Sequence, residues 1–460
     1  MLERNKILQC KSLVDQQVVL YCWINSIRHH GKVSFCDLRD ESGKIQAVFV
    51  GEKLLDEINN VSVESVIKVF GKVVERQANV VNEEQPMGGL EIFVENFELI
   101  SKAELLPFSL DEDTKNIDEK IRMQYRYLDL RSDRMQDNIR SRHEAMLFLR
   151  NYYSQQGFIE VETPCLTKGT PEGAREFVVP SRPNRGSFYV LPQSPQQFKQ
   201  LLMVGGMGKY FQVARCFRDE DHRQDRQPEF TQFDLEMSFV DEEDIMQIVE
   251  DSIIELVSNI FPNKKILSRP FPKINYAESM KKYGNDKPDL REEKDSDVLA
   301  FCWVTEFPLF EKGEGDNSIS SAHHPFTKPR EEDVDLIDKN PLKVRSTAFD
   351  LVLNGYEISS GSVRIHDPFL QKKIFTTLGL KNKEIEEKFG HMIKAFGFGV
   401  PPHGGTALGM DRLIAAILGE ESIREVIAFP KTGEAKDLLM GAPSILPDDV
   451  LKIVGIKTIK

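Results

Sequence analysis

Hydrophobic alternation is clearest between Tyr210 and Phe239. In YFQVARCFR, Phe211, Val213 and Phe217 alternate with Gln212, Ala214, Cys216 and Arg218, which sets Arg218 on the face with the smaller side chains. Beyond a polar loop, FTQFDLEMSF puts Phe233, Leu235, Met237 and Phe239 on one face and Gln232, Asp234, Glu236 and Ser238 on the other. The pattern predicts a β-hairpin with one core face and one polar face. The connecting stretch RCFRDEDHRQDRQPEF is dense in both signs of charge. Such a face is either solvated, with surface ion pairs that contribute little, or a site for a polyanion and a cationic group.

Upstream, residues 17–101 read as five short strands separated by turns, which predicts an OB-like β-barrel. Trp23, Phe35 and Phe49 fall in those strands, where aromatics are usually core. In this fold an exposed Phe35 beside Arg28 would instead be a platform on which single-stranded bases stack. The charged stretch after the barrel predicts a hinge, giving a barrel over 1–103, a hinge over 104–135 and a second domain over 136–460. There, IRSRHEAMLFLRNYYSQQ reads as a long helix stopped at Gly157, and FIEVETP as a strand ending at Pro164. Strands and helices then mix without βαβ regularity. This predicts an antiparallel sheet flanked by helices, and an α+β fold class for the whole.

Bulk properties narrow the field. The 460 residues carry a net charge of −13, which argues against general coating of nucleic acid but leaves room for RNA docked on local basic patches. No apolar run approaches a membrane span, and MLERNKILQCKSL lacks the hydrophobic centre of a signal peptide. The six cysteines are scattered without a CxxC pair, as for reduced thiols with no zinc spacing. A cytoplasmic protein with no membrane partner is expected.

Four further stretches carry chemistry. Asn354-Gly355 is the preferred pair for a type I′ turn, so Val352 should face Glu357, with Asp350 two residues along on the same face. Two carboxylates on one face are what a divalent cation bound to phosphates needs, although paired surface acids are common. Arg364 has the opposite parity to Glu357, and the two share a cleft only if SSGS bulges, which Gly361 permits. HGGTALGMDRLIAAILG passes from a glycine-rich strand into a helix, with Asp411 placed to cap it. Arg412 in the first turn opposes the helix dipole and asks for an anion. LPQSPQQFKQLL sets Gln196 and Lys199 one turn apart, where Lys199 in isolation reads as a surface lysine. TKGTPEGAREF and SAHHPFT are candidate mobile lids or plain exposed loops, and His323 and His324 have no further metal-ligand spacing.

Assembled, these residues closely resemble class II aminoacyl-tRNA synthetases, specifically bacterial-type aspartyl-tRNA synthetases, over nearly the whole chain. FIEVETP with its preceding helix resembles motif 1, a dimer-forming element; FRDEDHRQDRQPEFTQFDLE resembles motif 2, and GTALGMDRL resembles motif 3. This form of motif 2, with TPEGAREF, SPQQFKQ and YGNDKPDLR, is specific to aspartyl enzymes. The resemblance implies ATP-dependent ligation of L-aspartate to tRNA(Asp) through aspartyl-adenylate, by a homodimer. It implies catalytic roles on the ATP phosphates for Arg218 and Arg412, nucleotide contacts from Glu220, Gln227 and Glu357, and magnesium (Mg2+) on Asp350 and Glu357. Lys199 and Arg364 would grip the aspartate side-chain carboxylate, with Ser194, Gln196 and Asp234 fixing its surroundings. Glu172 would attract the substrate ammonium, and His323 and His324 would close over the aspartate.

In the barrel, Arg28, His30, Phe35 and Gln46 match positions that bind the anticodon, which favours the platform reading of Phe35. A histidine at His30 resembles members with relaxed tRNA choice, so tRNA(Asn) is a further expected partner. One departure stands out: bacterial-type members carry a large inserted domain after this YGNDKPDLR stretch, and it is absent near 291–299. Two alternatives stay open. An asparaginyl or lysyl type of class II synthetase is disfavoured by SPQQFKQ and by the paired Lys199 and Arg364. A non-catalytic tRNA-binding paralogue is disfavoured because both phosphate arginines and both metal carboxylates are kept.

Overall fold

Alternating residues such as Leu20, Cys22 and Ile24, or Cys36 and Leu38, bury one side of each N-terminal strand. In the computed structural model, which describes residues 4–82, 86–110, 113–169, 173–220, 225–313 and 318–458, these strands close on themselves. They are β1 (Gln17–His30), β2 (Val33–Asp40), β3 (Gly43–Val50), β4 (Val66–Glu75) and β5 (Leu90–Ser101), with helix α1 (Glu52–Ile58) between β3 and β4. Strand β1 pairs with β2 and β4, β2 with β3, β3 with β5 and β5 with β4, giving a five-stranded barrel with the OB order. Phe49 sits in the core, edge-on to Phe97 at 5.6 Å. Trp23 and Phe35 have the other parity and face outward, so the core expectation fails for both; the Arg39 guanidinium lies 5.9 Å from the Trp23 ring.

The chain divides into compact units at Met1–Ile117 and Asp118–Lys460. The second unit therefore begins inside the stretch expected to be a hinge. Residues 118–135 fold onto their own unit, where Arg122 and Arg126 are buried. Arg122 donates to both Glu425 carboxylate oxygens at 3.0 Å, and Arg126 donates to Asp129 Oδ2 at 2.5 Å and to the carbonyls of Arg424, Ile427 and Ala428. Helix α2 (Asp133–Gln155) starts at Ser132, whose Oγ accepts from Met135 N, and ends before Gly157 at φ +83°.

An eight-stranded sheet organises the rest. Its strands are β6 (Ile159–Glu160), β7 (Lys209–Phe217), β8 (Glu229–Ser238), β9 (Lys273–Asn275), β10 (Phe301–Thr305), β11 (Ala348–Leu353), β12 (Tyr356–Val363) and β13 (His403–Gly409). They lie in the order β9-β10-β11-β12-β13-β8-β7-β6, antiparallel except for the edge strands β9 and β6. FIEVETP contributes only the two residues of β6. One sheet face, with Phe233, Leu235, Leu408 and Leu351, packs against α2, α4 (Glu242–Ile260) and α7 (Met410–Leu418). Phe239, read as part of that face, lies beyond the end of β8 and is exposed. The other face meets α3 (Gln196–Val204), a helix whose buried side is mostly polar. Helices α5 (Pro368–Thr377) and α6 (Asn382–Phe396) pack together beside it.

The hairpin of β11 and β12 turns at Asn354 and Gly355, both at positive φ, and pairs Val352 with Glu357 as the pattern predicts. Its bulge is not in SSGS. Leu351 pairs with Ser359, so the extra residue is Ile358, which remains in the core. Gly361 stays in register because a Cβ there would meet Phe349 at 2.6 Å and Gly405 O at 2.7 Å. The bulge restores parity and sets Asp350, Glu357, Ser360 and Arg364 on the face away from the core.

Among the described residues, no helix is long and apolar enough to cross a membrane. Burial works against ionised Glu425, yet Arg122, Arg134 and Arg126 hold its pKa down at about 2. Relative to about 4.3 in the unfolded chain, this contributes about 3 kcal/mol above pH 4.3, lost as pH falls towards 2. Glu425→Gln should therefore destabilise the second unit by about that amount at pH 7 and by progressively less below pH 4; denaturant unfolding at pH 7 and pH 3 measures the difference.

Candidate active site

A cavity of about 490 Å3 opens on the free sheet face. Asp234, Ala407, Ser360 and Asp350 stand in one cross-strand row over β8, β13, β12 and β11. On this face β13 presents Gly405, Ala407 and Gly409, so the floor is low in the middle and carries its functional groups at the two ends. A Cβ on Gly405 would lie 2.0 Å from Leu235 O and 2.3 Å from Glu236 Oε2.

The closed end holds four charges. Lys199, Asp234, Glu236 and Arg364 are 2%, 1%, 0% and 1% exposed, which overturns both the solvated-face reading of the hairpin and the surface reading of Lys199. Lys199 Nζ donates to Asp234 Oδ2 at 3.0 Å and lies 3.3 Å from Glu236 Oε2. Arg364 donates from Nε and Nη2 to the two Glu236 oxygens at 3.0 and 3.2 Å. Its remaining N–H groups reach Gly405 O, Ser362 Oγ and His324 Nε2 at 3.0, 2.6 and 2.7 Å, so all five donors are used. Burial raises Asp234 to about 6 despite Lys199, whereas Arg364 and Lys199 together overcome burial and hold Glu236 low. Among the described residues, nothing hydrogen-bonds the buried Asp234 Oδ1. Glu236 stood on the right face in the sequence but carried no assigned role; its use became visible only when α3 and β12 brought two cations to it.

The two histidines differ. Burial and the Arg364 charge hold His324 neutral, far below its ordinary pKa, with Nε2 accepting from Arg364. His323 Nε2 lies 3.3 Å from Asp350 Oδ1; burial works against its charged form, but Asp350, Glu357 and Asp286 raise its pKa.

At the open end, burial pushes Asp350 up despite His323, while Lys287 and Arg412 overcome burial and hold Glu357 low. Lys287 Nζ sits 3.0 Å from Glu357 Oε2, a partner that sequence spacing did not signal. Arg412 finds its anion in Asp225 at 3.1 Å and also donates to Glu357 O at 3.2 Å. Asp411 is not the helix cap: Gly409 occupies that position, and Asp411 instead accepts from Arg142 and from Thr231 N. The Arg218 guanidinium lies 5.1 Å over the Phe230 ring with its Nε unpartnered, and no described carboxylate reaches it.

Glu220 lines the cavity and pairs with Arg226 at 2.9 Å. Gln227 lines it too, but its amide is engaged at both ends by the Lys431 backbone, at 2.7 and 2.9 Å. Ser194 and Gln196 line it as well, with Ser194 Oγ accepting from Gln196 N. The site thus gathers every candidate of the second unit except Glu172, which lies outside the described residues.

On the barrel, Arg28 pairs with Phe35 across β1 and β2 and donates to Asp37 Oδ1 at 3.2 Å and Gln46 Oε1 at 3.4 Å. His30 ends β1, exposed, with its ring 6.0 Å from that of Phe35. These four residues form one outward patch.

Residues 118–433 match the class II tRNA synthetases for D, K and N, and residues 18–100 match the OB-fold nucleic acid binding domain of the tRNA anticodon type. The chain belongs to the class II aminoacyl-tRNA synthetases. An aspartate–tRNA(Asp/Asn) ligase of Dictyoglomus turgidum is 40% identical, covering 97% of this chain and 96% of the relative. One of Dehalococcoides mccartyi is 38% identical over 99% of both. The first alignment runs over 575 positions against 460 residues here, so more than a hundred positions of that synthetase have no counterpart. The fold matches an asparaginyl-tRNA synthetase of Pyrococcus horikoshii complexed with asparaginyl-adenylate, at TM-score 0.76 and 23% identity, covering 94% of this chain and 99% of that one. It also matches an aspartyl tRNA synthetase of Entamoeba histolytica at TM-score 0.73 and 21% identity, covering 93% and 91%.

The synthetase site has no space above Gly405. Gly405→Ala should cost about 1–3 kcal/mol by pushing β13 away from the Leu235 carbonyl and Glu236 off Lys199 and Arg364, whereas Gly433→Ala, in open space, should cost little. Denaturant unfolding of the two variants compares them directly.

Proposed function

We propose that this synthetase is an aspartate–tRNA ligase that forms aspartyl-adenylate from L-aspartate and ATP and then charges tRNA(Asp) and tRNA(Asn). The observation that carries the reading is the buried pair of cations, Lys199 and Arg364, at the closed end of the cavity. Two fixed positive groups beside the cavity attract a side-chain carboxylate more strongly than a neutral amide. Among the described residues Lys199 uses two of its three N–H donors, on Asp234 and Glu236, which leaves one for that carboxylate. Arg364 has none to spare, so the ligand must displace an acceptor. His324 is the one carried on a loop, and its departure fits a lid role for SAHHPFT.

In the first step an α-carboxylate oxygen of aspartate attacks the α-phosphorus of ATP; the new O–P bond forms as the bond to the β-phosphate bridging oxygen breaks, releasing pyrophosphate. In the second, a hydroxyl of the terminal tRNA ribose attacks the acyl carbon and AMP leaves. No protein nucleophile is needed, and the residues act by position and charge. Arg218 and Arg412 stabilise charge developing on the phosphates, Glu220 contacts the nucleotide, and Gln227 buttresses the wall through Lys431. Asp350 and Glu357 fit magnesium: both carboxylates face one cavity, each now beside a cationic or titratable side chain, and among the described residues no third ligand encloses the position. Asp350 and Glu357 would hold the ion, and bound magnesium would neutralise phosphate charge. Glu172 would meet the ammonium.

For the tRNA, the outward Arg28, His30, Phe35 and Gln46 patch supports anticodon binding, and the names of the relatives support a choice that includes tRNA(Asn). The resemblance to motif 1 supports a homodimer, and the composition supports a cytoplasmic enzyme. The positions of the relative that have no counterpart in this chain fit an inserted domain missing near 291–299. There, Arg291 donates to the Asp289 carboxylate and to Asp295 O at 2.8 Å, closing a short turn.

ATP–pyrophosphate exchange with aspartate and with asparagine tests the reading; exchange with asparagine alone, or with neither, would sink it. Arg218→Ala should lower aspartate-dependent exchange by about 10²–10³-fold without loss of folding. Phe35→Ala should weaken charging of tRNA(Asp) and tRNA(Asn) transcripts about ten-fold and leave exchange intact; equal loss in both assays would point to a packing role.

A further inference from the structure

His403 lies buried at the closed end of the synthetase sheet face and does not line the cavity. It begins β13, pairs with Ser238 of β8 and meets Phe396 of α6 edge-on at 6.2 Å. Its ring makes two polar contacts, Nδ1 to Pro401 O at 2.8 Å and Nε2 to Gln200 Nε2 at 3.1 Å. A carbonyl oxygen only accepts, so Nδ1 carries the proton. Burial keeps the imidazole below its ordinary pKa against the pull of Glu236, hence neutral. Nε2 is then a bare lone pair, and the end of Gln200 that faces it must be the NH2. This turns Gln200 Oε1 towards Gln196, where it accepts from Gln196 Nε2 at 3.1 Å. Each link has one consistent orientation, and all of them follow from the Pro401 carbonyl.

We propose that His403 and Gln200 are positioning residues that lock the Gln196 side-chain amide with its carbonyl oxygen available to the amino acid in the cavity. Gln196 lines that cavity, and no hydrogen bond among the described residues occupies its Oε1. An acceptor there matches an ammonium and opposes a carboxylate, so the relay decides which way round the amino acid enters. With the relay cut, the amide turns between two orientations of similar energy, one of which presents NH2 to the ammonium. The inference rests on the reading of the site as an aspartate site.

Calorimetric titration of the full chain with L-aspartate and, separately, with ATP measures the relay without requiring turnover. His403→Phe and Gln200→Met should each raise the aspartate Kd at least five-fold and leave the ATP Kd within two-fold of the parent. His403→Gln, whose Oε1 returns an acceptor near the lost Nε2, should restore aspartate binding to within two-fold. Because the residues act in series, the double variant His403→Phe/Gln200→Met should bind no more weakly than the weaker single variant. Parallel losses for aspartate and ATP, additive losses in the double variant, or failure of His403→Gln to restore binding would overturn the relay. If His403→Phe does not fold, Gln200→Met and His403→Gln decide the matter. A parent protein that binds ATP but not aspartate overturns the aspartate reading and the relay with it, whereas aspartate binding unaffected by the variants overturns the relay alone.

Discussion

Two cations and two anions sit beneath the closed end of the cavity almost out of contact with water: Lys199, Asp234, Glu236 and Arg364. Removing a charge from water costs several kcal/mol unless partners replace the lost hydration, so each of the four requires the others. They come from a helix, a strand and a strand exit: Lys199 from α3, Asp234 and Glu236 from β8, and Arg364 from the residue that follows β12. Keeping them paired therefore constrains how α3 lies on the sheet and how β12, β13 and β8 are registered. Gly405 is part of that constraint, because the Glu236 carboxylate occupies the space where a side chain would be. The bulge at Ile358 is another. Without it, Glu357 and Arg364 would stand on opposite faces, and either a carboxylate or a guanidinium would be driven into the hydrophobic core.

The cavity is correspondingly asymmetric. At its closed end the charges are saturated by one another, and a ligand enters only by exchanging with a protein acceptor. At its open end the cations are held by groups that a ligand can replace: Arg412 by Asp225, Lys287 by Glu357 and, among the described residues, Arg218 by the face of Phe230. A closed end that discriminates and an open end that gathers negative charge suit a small amino acid joined to a polyphosphate. The floor between them, made of glycine and alanine from β13, leaves room for the atoms that react.

Much of this was legible in the residues. Alternation placed Arg218, Asp234 and Glu236 on one face, and Asn354-Gly355 registered Val352 against Glu357, because strand geometry repeats every two residues and a tight turn fixes register. The resemblance to aspartyl enzymes then supplied roles that spacing cannot. Other features escaped for physical reasons. The residues point to a bulge in SSGS, which Gly361 permits, but that glycine packs closely against Phe349 and Gly405. The 104–135 stretch reads as a hinge because it is charged, yet Arg122 and Arg126 are buried on Glu425 and on backbone carbonyls some three hundred residues away. Composition reports charge, not whether a partner waits for it.

What the sequence determined by itself was local and periodic: the barrel strands, the hairpins, the polar face of β8, the family resemblance and the types of group at the site. What only the tertiary structure decided was pairing: that Lys199 is buried between two carboxylates, that His324 accepts from Arg364, that Lys287 holds Glu357, and that His403 reaches Gln196 through Gln200. Periodicity is set by neighbouring residues along the chain, whereas a buried charge or amide is set by what lies across from it in space.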